Sequence, residues 1–203
     1  MVTTTHLLYL HGFKSSPKSA KARQVHAAVE ALRARSQTLT WACPQLPPSP
    51  SQAAQDIRQL LAAWPQDTMA VVGSSLGGFY ATWAAEQFGC RAAVINPAVD
   101  PARDLAHHIG EQTSFHNPDD RFFFRREFID EFKTLNPYPI THLERYWALI
   151  AKGDEVLDWR EMSAHYAGAT ITQLDGSDHA VSDFELHLPD LLRWLGLAES
   201  QRP

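Results

Sequence analysis

The run Gly73-Ser74-Ser75-Leu76-Gly77-Gly78 follows the apolar stretch Met69-Ala70-Val71-Val72 and precedes a segment of helical character. A serine at the tip of a tight strand-to-helix turn presents its hydroxyl outward. Such a turn needs small residues two places before and two places after it, so that strand and helix can approach closely. Gly73 and Gly77 meet this need around Ser75, whereas the same positions around Ser74 are Val72 and Leu76. Ser75 is therefore the candidate nucleophile. No Lys follows the glycines, as a phosphate-cradling loop would require, and the spacing is not that of a dinucleotide-binding turn. A plain Gly-Ser turn at a helix start would use the same residues, so the case rests on whether partners exist.

A serine hydroxyl is a weak nucleophile until a base removes its proton. A histidine oriented by a carboxylate is the recurrent solution. The chain has 10 histidines. His179 stands out, because it follows the strand-like run Ile171 to Leu174 and the turn residues Asp175-Gly176-Ser177-Asp178. Asp154 comes after the apolar run Tyr146 to Ala151 and Lys152-Gly153. The resulting order of Ser, then Asp, then His is that of α/β-hydrolases. Glu155 and Asp158 compete with Asp154, but Asp158 is expected on the next helix. Asp178 could reach His179 only locally. His107 and His108 are adjacent and would diverge on a helix, making a poor metal pair. His165 and His187 fall within helices, and His11 precedes the nucleophile. The loop His11-Gly12-Phe13 and the residue after the nucleophile would supply the oxyanion-hole donors, the backbone N–H groups of Phe13 and Leu76.

The elements that must position these residues alternate along the chain. Short apolar runs at 6–10, 38–42, 69–72, 92–95, 146–151 and 170–174 read as strands. Five helices are expected between and after them. The first has Ser16 as N-cap and Pro17 at its first position and runs towards Arg35. The second starts at Ser49 or Ser51 and reaches about Trp64. The others span Ser75 to Phe88, Asp158 to Tyr166, and about Phe184 to Leu195. Alternation of this kind implies an α/β fold with a mostly parallel sheet of about six strands and helices on both faces. The strands are continuously apolar, as strands covered on both faces are. In such sheets ligands bind beyond the carboxyl ends of the strands, where His11-Gly12-Phe13, Ser75, Asn96-Pro97, Asp154 and His179 all fall.

The stretches Leu8-Tyr9-Leu10-His11-Gly12-Phe13, Lys14-Ser15-Ser16-Pro17, Gly73 to Gly78, Asn96-Pro97-Ala98, Gly153-Asp154-Glu155-Val156-Leu157-Asp158 and Gly176-Ser177-Asp178-His179 together resemble the YqiA-like esterase family of small bacterial α/β-hydrolases. The resemblance runs along nearly the whole chain in the same order. It implies an α/β-hydrolase fold, esterase action on a small acyl ester or thioester, and a triad of Ser75, Asp154 and His179. The Gly176-Ser177-Asp178 turn departs from the Gly-Gly or Gly-Asn turn usual in that family. Residues 98–144 are less family-like and are expected to form a short lid-like insertion. There Phe124, Phe128, Phe132 and Leu135 recur at helical spacing, which fits a helix packed on the core or, alternatively, an acyl-binding wall.

Composition sets the outer limits. At 203 residues, 44% hydrophobic and 20% charged, the chain is expected to form one globular domain, residues 1–203. A net charge of -5 argues against a nucleic-acid partner. The local cations Lys14, Lys18, Lys21 and Arg23 read first as a solvated helix face. Cys43 and Cys90 form no metal or disulfide pattern, and no metal or organic cofactor is expected. The residues Met1 to Thr5 lack a signal-peptide pattern, and no apolar run has membrane-spanning length, so a cytoplasmic location is expected. Two other functions fit the same fold. One is an interaction module with little hydrolysis, which would have no need for a triad. The other is a dehalogenase or epoxide hydrolase, which would need an aspartate where Ser75 stands.

Overall fold

A computed structural model of the protein describes residues 3–35, 37–115, 117 and 119–197. Six strands form one fully parallel sheet: β1 (His6–Leu10), β2 (Thr40–Ala42), β3 (Met69–Ser74), β4 (Arg91–Ile95) and, further along the chain, Tyr146–Ala151 and Thr170–Leu174. Between β4 and the strand at Tyr146 lie an antiparallel hairpin, β5 (Gly110–Thr113) and β6 (Arg121–Phe124), and two helices. The last two sheet strands are therefore β7 and β8. The spatial order is β2-β1-β3-β4-β7-β8. Strand order reverses between β1 and β3, a topological switch point where a crevice opens beyond the strand ends.

Each strand sends alternate side chains to opposite faces. Leu8 and Leu10 of β1, Val71 of β3, Val94 of β4 and Ile150 of β7 pack on one side, with α2 (Pro50–Leu61) and α3 (Leu76–Phe88). Leu7, Tyr9, Val72, Ile95 and Leu149 pack on the other, with α1 (Ala20–Arg33) and the C-terminal helix Leu188–Trp194. Every residue of β3 and β7 is buried, which is why these strands lack polar alternation. The remaining helices are α4 (Pro101–Asp104), α5 (Glu127–Leu135) and α6 (Trp159–His165), and the C-terminal one is α7.

Four expectations need correction. The first helix starts at Ala20, not Pro17. Ser19 caps it by accepting the Ala22 N–H, while Ser16 closes a turn by accepting the Ser19 N–H on its carbonyl. The helix after Pro48 ends at Leu61 rather than Trp64. The last helix begins at Leu188, not Phe184, because Phe184–Leu186 form a separate 3₁₀ turn. Most consequential, Phe124 does not share a helix with Phe128, Phe132 and Leu135. It ends β6, and α5 begins only at Glu127. Its apparent helical spacing crosses an element boundary.

Candidate active site

The β3-to-α3 turn carries Ser75 at φ 56°, ψ −122°, a conformation costing on the order of 1–3 kcal/mol that persists only where its surroundings fix it. Three backbone hydrogen bonds do so. The Ser75 N–H donates to the Ile95 carbonyl at 3.0 Å, and the Ser75 carbonyl accepts from Gly78 at 2.8 Å and Ala98 at 3.0 Å. The glycines are sterically required. A Cβ on Gly73 would sit 2.1 Å from the Gly77 carbonyl oxygen, and one on Gly77 would sit 1.9 Å from the Leu10 carbonyl oxygen. Ser74 is buried as the last residue of β3.

The structure brings Ser75, His179 and Asp154 into one hydrogen-bonded line. His179 Nδ1 lies 2.8 Å from Asp154 Oδ2, and Nε2 lies 3.0 Å from Ser75 Oγ. With the imidazole proton on Nδ1 donated to Asp154, Nε2 is left to accept from the serine hydroxyl. The Asp154 side chain is 0% exposed. Its other oxygen, Oδ1, accepts the backbone N–H groups of Val156 and Leu157, each at 2.8 Å. The carboxylate is thus held at both oxygens. Gly153 lets its loop meet the histidine loop, because a Cβ there would lie 2.1 Å from the Ser177 carbonyl oxygen.

The loop after β1 closes over the serine. An added Cβ on Gly12 would stand 3.2 Å from Ser75 Cβ and 3.6 Å from its Oγ, which puts the Gly12-Phe13 backbone beside the Ser75 hydroxyl. His11 anchors this loop. Its Nδ1 donates to the Gly12 carbonyl at 2.9 Å, and its Nε2 accepts the Leu46 N–H at 3.0 Å. Leu76 is the first residue of α3, so its N–H is among those without an intrahelical acceptor.

Two cavities meet at Ser75 and His179. One, about 520 Å³, is lined by Leu76, Ala98, Leu105, Val156 and Leu157 and also by Lys14, Arg103, Asp104, His107 and His108. The other, about 400 Å³, runs along the start of α1 past Lys21 and Gln24. A third, about 380 Å³, lies beyond Phe13, with Phe122 and Phe124 on its wall, and does not reach Ser75 or His179. Phe128 and Phe132 are buried in the core, so the apolar stripe of α5 is packing rather than substrate wall. Among the described residues, no group of three His, Cys, Asp or Glu side chains could hold a metal ion.

The carboxylates that rivalled Asp154 have other partners. Asp158 caps α6 by accepting the Arg160 N–H. Asp178 accepts from the Ser182 backbone and hydroxyl. Glu155 accepts the backbone N–H of His179 at 2.9 Å. Asn96, fully buried at the end of β4, donates to the carbonyls of Asp178 and His179 and accepts the Ala151 N–H. Lys21 is not merely solvated, for its ammonium donates to the Ala180 carbonyl. Burial pulls its pKa down to about 8, opposed by the charges of Asp178 and Asp154. The roles of Glu155, Asn96 and Lys21 escaped the sequence because each acts on backbone atoms, which no residue pattern displays.

A model of the uncharacterised protein family UPF0227 matches residues 6–196. The chain belongs to this family. Its fold recurs in solved structures. Alpha/beta hydrolase domain-containing protein 10 from mouse aligns with TM-score 0.69 at 19% identity, covering 96% of this chain and 92% of that one. Est1E from Butyrivibrio proteoclasticus aligns with TM-score 0.70 at 11% identity, covering 97% and 88%. A structure from work on LipS and LipT, two metagenome-derived lipolytic enzymes, aligns with TM-score 0.63 at 20% identity, covering 98% and 96%. This UPF0227 chain therefore has the α/β-hydrolase fold. Among its described residues, no helix is long and apolar enough to cross a membrane.

Proposed function

We propose that this protein is a serine hydrolase that cleaves acyl esters or thioesters through an acyl-enzyme on Ser75. The observation that carries the reading is the unbroken line from Ser75 Oγ through His179 to the enclosed Asp154 carboxylate. That line lies beside a cavity lined by apolar residues such as Leu76, Leu105 and Leu157 together with polar ones such as Arg103, Asp104 and His108. Ser75 Oγ attacks the substrate carbonyl carbon while its proton passes to His179 Nε2. The oxyanion that forms accepts from the Phe13 and Leu76 backbone N–H groups. Loss of one such donor typically costs about 3–4 kcal/mol of transition-state stabilisation. The tetrahedral adduct collapses, and the leaving alcohol or thiol takes the proton from Nε2. Water then repeats the attack on the acyl-enzyme, with His179 as base, and releases the acid.

In this reading the cavity at Leu76, Ala98, Leu105 and Leu157 receives the acyl group. The segment at 98–144 acts as a lid-like insertion of a single hydrolase domain, since it supplies Leu105 and Phe115 to the cavity wall. The test is hydrolysis of 4-nitrophenyl esters of increasing acyl length, and of acyl thioesters followed by free-thiol release. Wild type, Ser75→Ala and His179→Ala would be compared. Turnover by wild type and its loss in both variants is expected. Equal turnover by all three would overturn the proposal.

A further inference from the structure

The base of a triad must hold its ring against the nucleophile to within a fraction of an ångström, yet His179 sits in a loop with no regular structure. Two residues on either side of it, Ser177 and Val181 have φ of 65° and 45°. That region is uncommon for any residue with a side chain and an outlier for a β-branched one. Such a backbone keeps one shape only when its surroundings over-determine it. Three side chains from three separate elements grip the backbone between those two bends. Asn96, at the end of β4, donates to the Asp178 carbonyl at 3.0 Å and to the His179 carbonyl at 3.2 Å. Lys21 of α1 donates to the Ala180 carbonyl. Glu155 accepts the His179 N–H at 2.9 Å.

Glu155 is the informative member. It neighbours Asp154 in sequence, so the loop that fixes the Nδ1 edge of the imidazole through Asp154 also fixes the histidine's main chain. Ring and backbone of the same residue are thereby tied to the end of β7. Glu155 is solvent-exposed and among the described residues makes no ion pair, so neither core packing nor a surface salt bridge accounts for the contact. An exposed carboxylate that accepts a backbone N–H forms a charge-assisted bond.

Resting on the hydrolase reading above, we infer that Glu155 is a positioning residue that sets the placement of His179 for proton transfer. It acts as a hydrogen-bond acceptor on the histidine's own amide. It touches neither substrate nor reacting atoms. Misplacing a catalytic group by about 1 Å can cost on the order of 10²-fold in rate. Loss of this tether therefore falls on kcat, with substrate affinity and global stability left alone.

The test compares wild type, Glu155→Ala and Glu155→Gln on 4-nitrophenyl butyrate, with thermal melting of each. Glu155→Ala is expected to lower kcat by about tenfold or more, with KM within about twofold of wild type and an unshifted melting temperature. Glu155→Gln, whose amide oxygen can still accept the N–H, is expected to recover most of kcat and to keep the wild-type pH–rate midpoint. Unchanged kcat in Glu155→Ala overturns the role, as does a Gln variant as impaired as Ala. A purely structural residue would instead lower the melting temperature in proportion to the loss. Wild type without turnover would overturn the hydrolase reading and this role together, whereas active wild type with an unaffected Glu155→Ala overturns this role alone.

Discussion

Asp154→Asn separates the geometry of the site from its proton chemistry. In the native protein Oδ1 accepts from Val156 and Leu157 at 2.8 Å each, and Oδ2 faces His179 Nδ1 at 2.8 Å. Asparagine offers one acceptor oxygen and one NH₂ group, which only donates. The two backbone N–H groups can be met only by the acceptor, so the amide oxygen must take the place of Oδ1. The NH₂ group then faces His179 and donates to Nδ1. The imidazole must carry its proton on Nε2, where it meets Ser75 Oγ at 3.0 Å and cannot accept the serine's proton. The side chain at 154 is fully enclosed, so it has no solvent-facing alternative. In Ser-His-Asp enzymes the same exchange costs on the order of 10⁴-fold in kcat, which is about 5 kcal/mol in barrier. The expected result is a loss of about 10³ to 10⁴-fold in kcat for 4-nitrophenyl butyrate near neutral pH, with a near-native melting temperature. A loss smaller than about tenfold, or about 1.4 kcal/mol, would show that Asp154 does not set the tautomer of His179.

Further expectations follow from individual contacts. Gly77→Ala places a Cβ 1.9 Å from the Leu10 carbonyl and should destabilise by at least about 1–3 kcal/mol, or prevent folding. Gly176→Ala, with nothing within 4 Å, should leave the thermal midpoint within a degree or so of wild type. Burial pushes both Cys43 and Cys90 up to about 12. At pH 8 both thiols are therefore neutral, and because the thiolate is the nucleophile, iodoacetamide should label them slowly in native protein and readily in urea. Fast native labelling of Cys43 would contradict this. Leu105→Trp should narrow the cavity beside Ser75, lowering kcat/KM for an octanoyl ester more than for an acetyl ester, and equal losses would remove that cavity from acyl binding. Turnover should persist in excess EDTA, and inhibition reversed by added metal would refute a metal-independent reaction.

The centre of the sheet was legible because its inner strands are buried on both faces and so appear as unbroken apolar runs, such as Met69 to Val72 and Tyr146 to Ala151, whereas the edge strands β2 and β8 are only part-buried and carry Thr and Gln. The turn at Ser75 was legible because sterics leave little choice but glycine at 73 and 77. Residues 98–144 were not. Their hairpin β5–β6 is only half buried, with Phe122 and Phe124 inward and Phe123 outward. Three consecutive phenylalanines hid that alternation, and Phe124 happened to fall in phase with α5. The backbone contacts that hold Asp154 and His179 in place were invisible for another reason. A carboxylate that accepts an amide hydrogen, as Glu155 does, leaves no mark on the sequence, because the atom it recognises is common to every residue but proline.

The most direct test of the central claim is to treat the purified protein with a fluorophosphonate and locate the adduct by mass spectrometry, with Ser75→Ala in parallel. A single adduct on Ser75, absent from the variant, is the predicted result, because only a serine whose proton is drawn off by His179 reacts at a useful rate. An adduct on another residue, or none on a folded protein that admits small esters, would contradict the account.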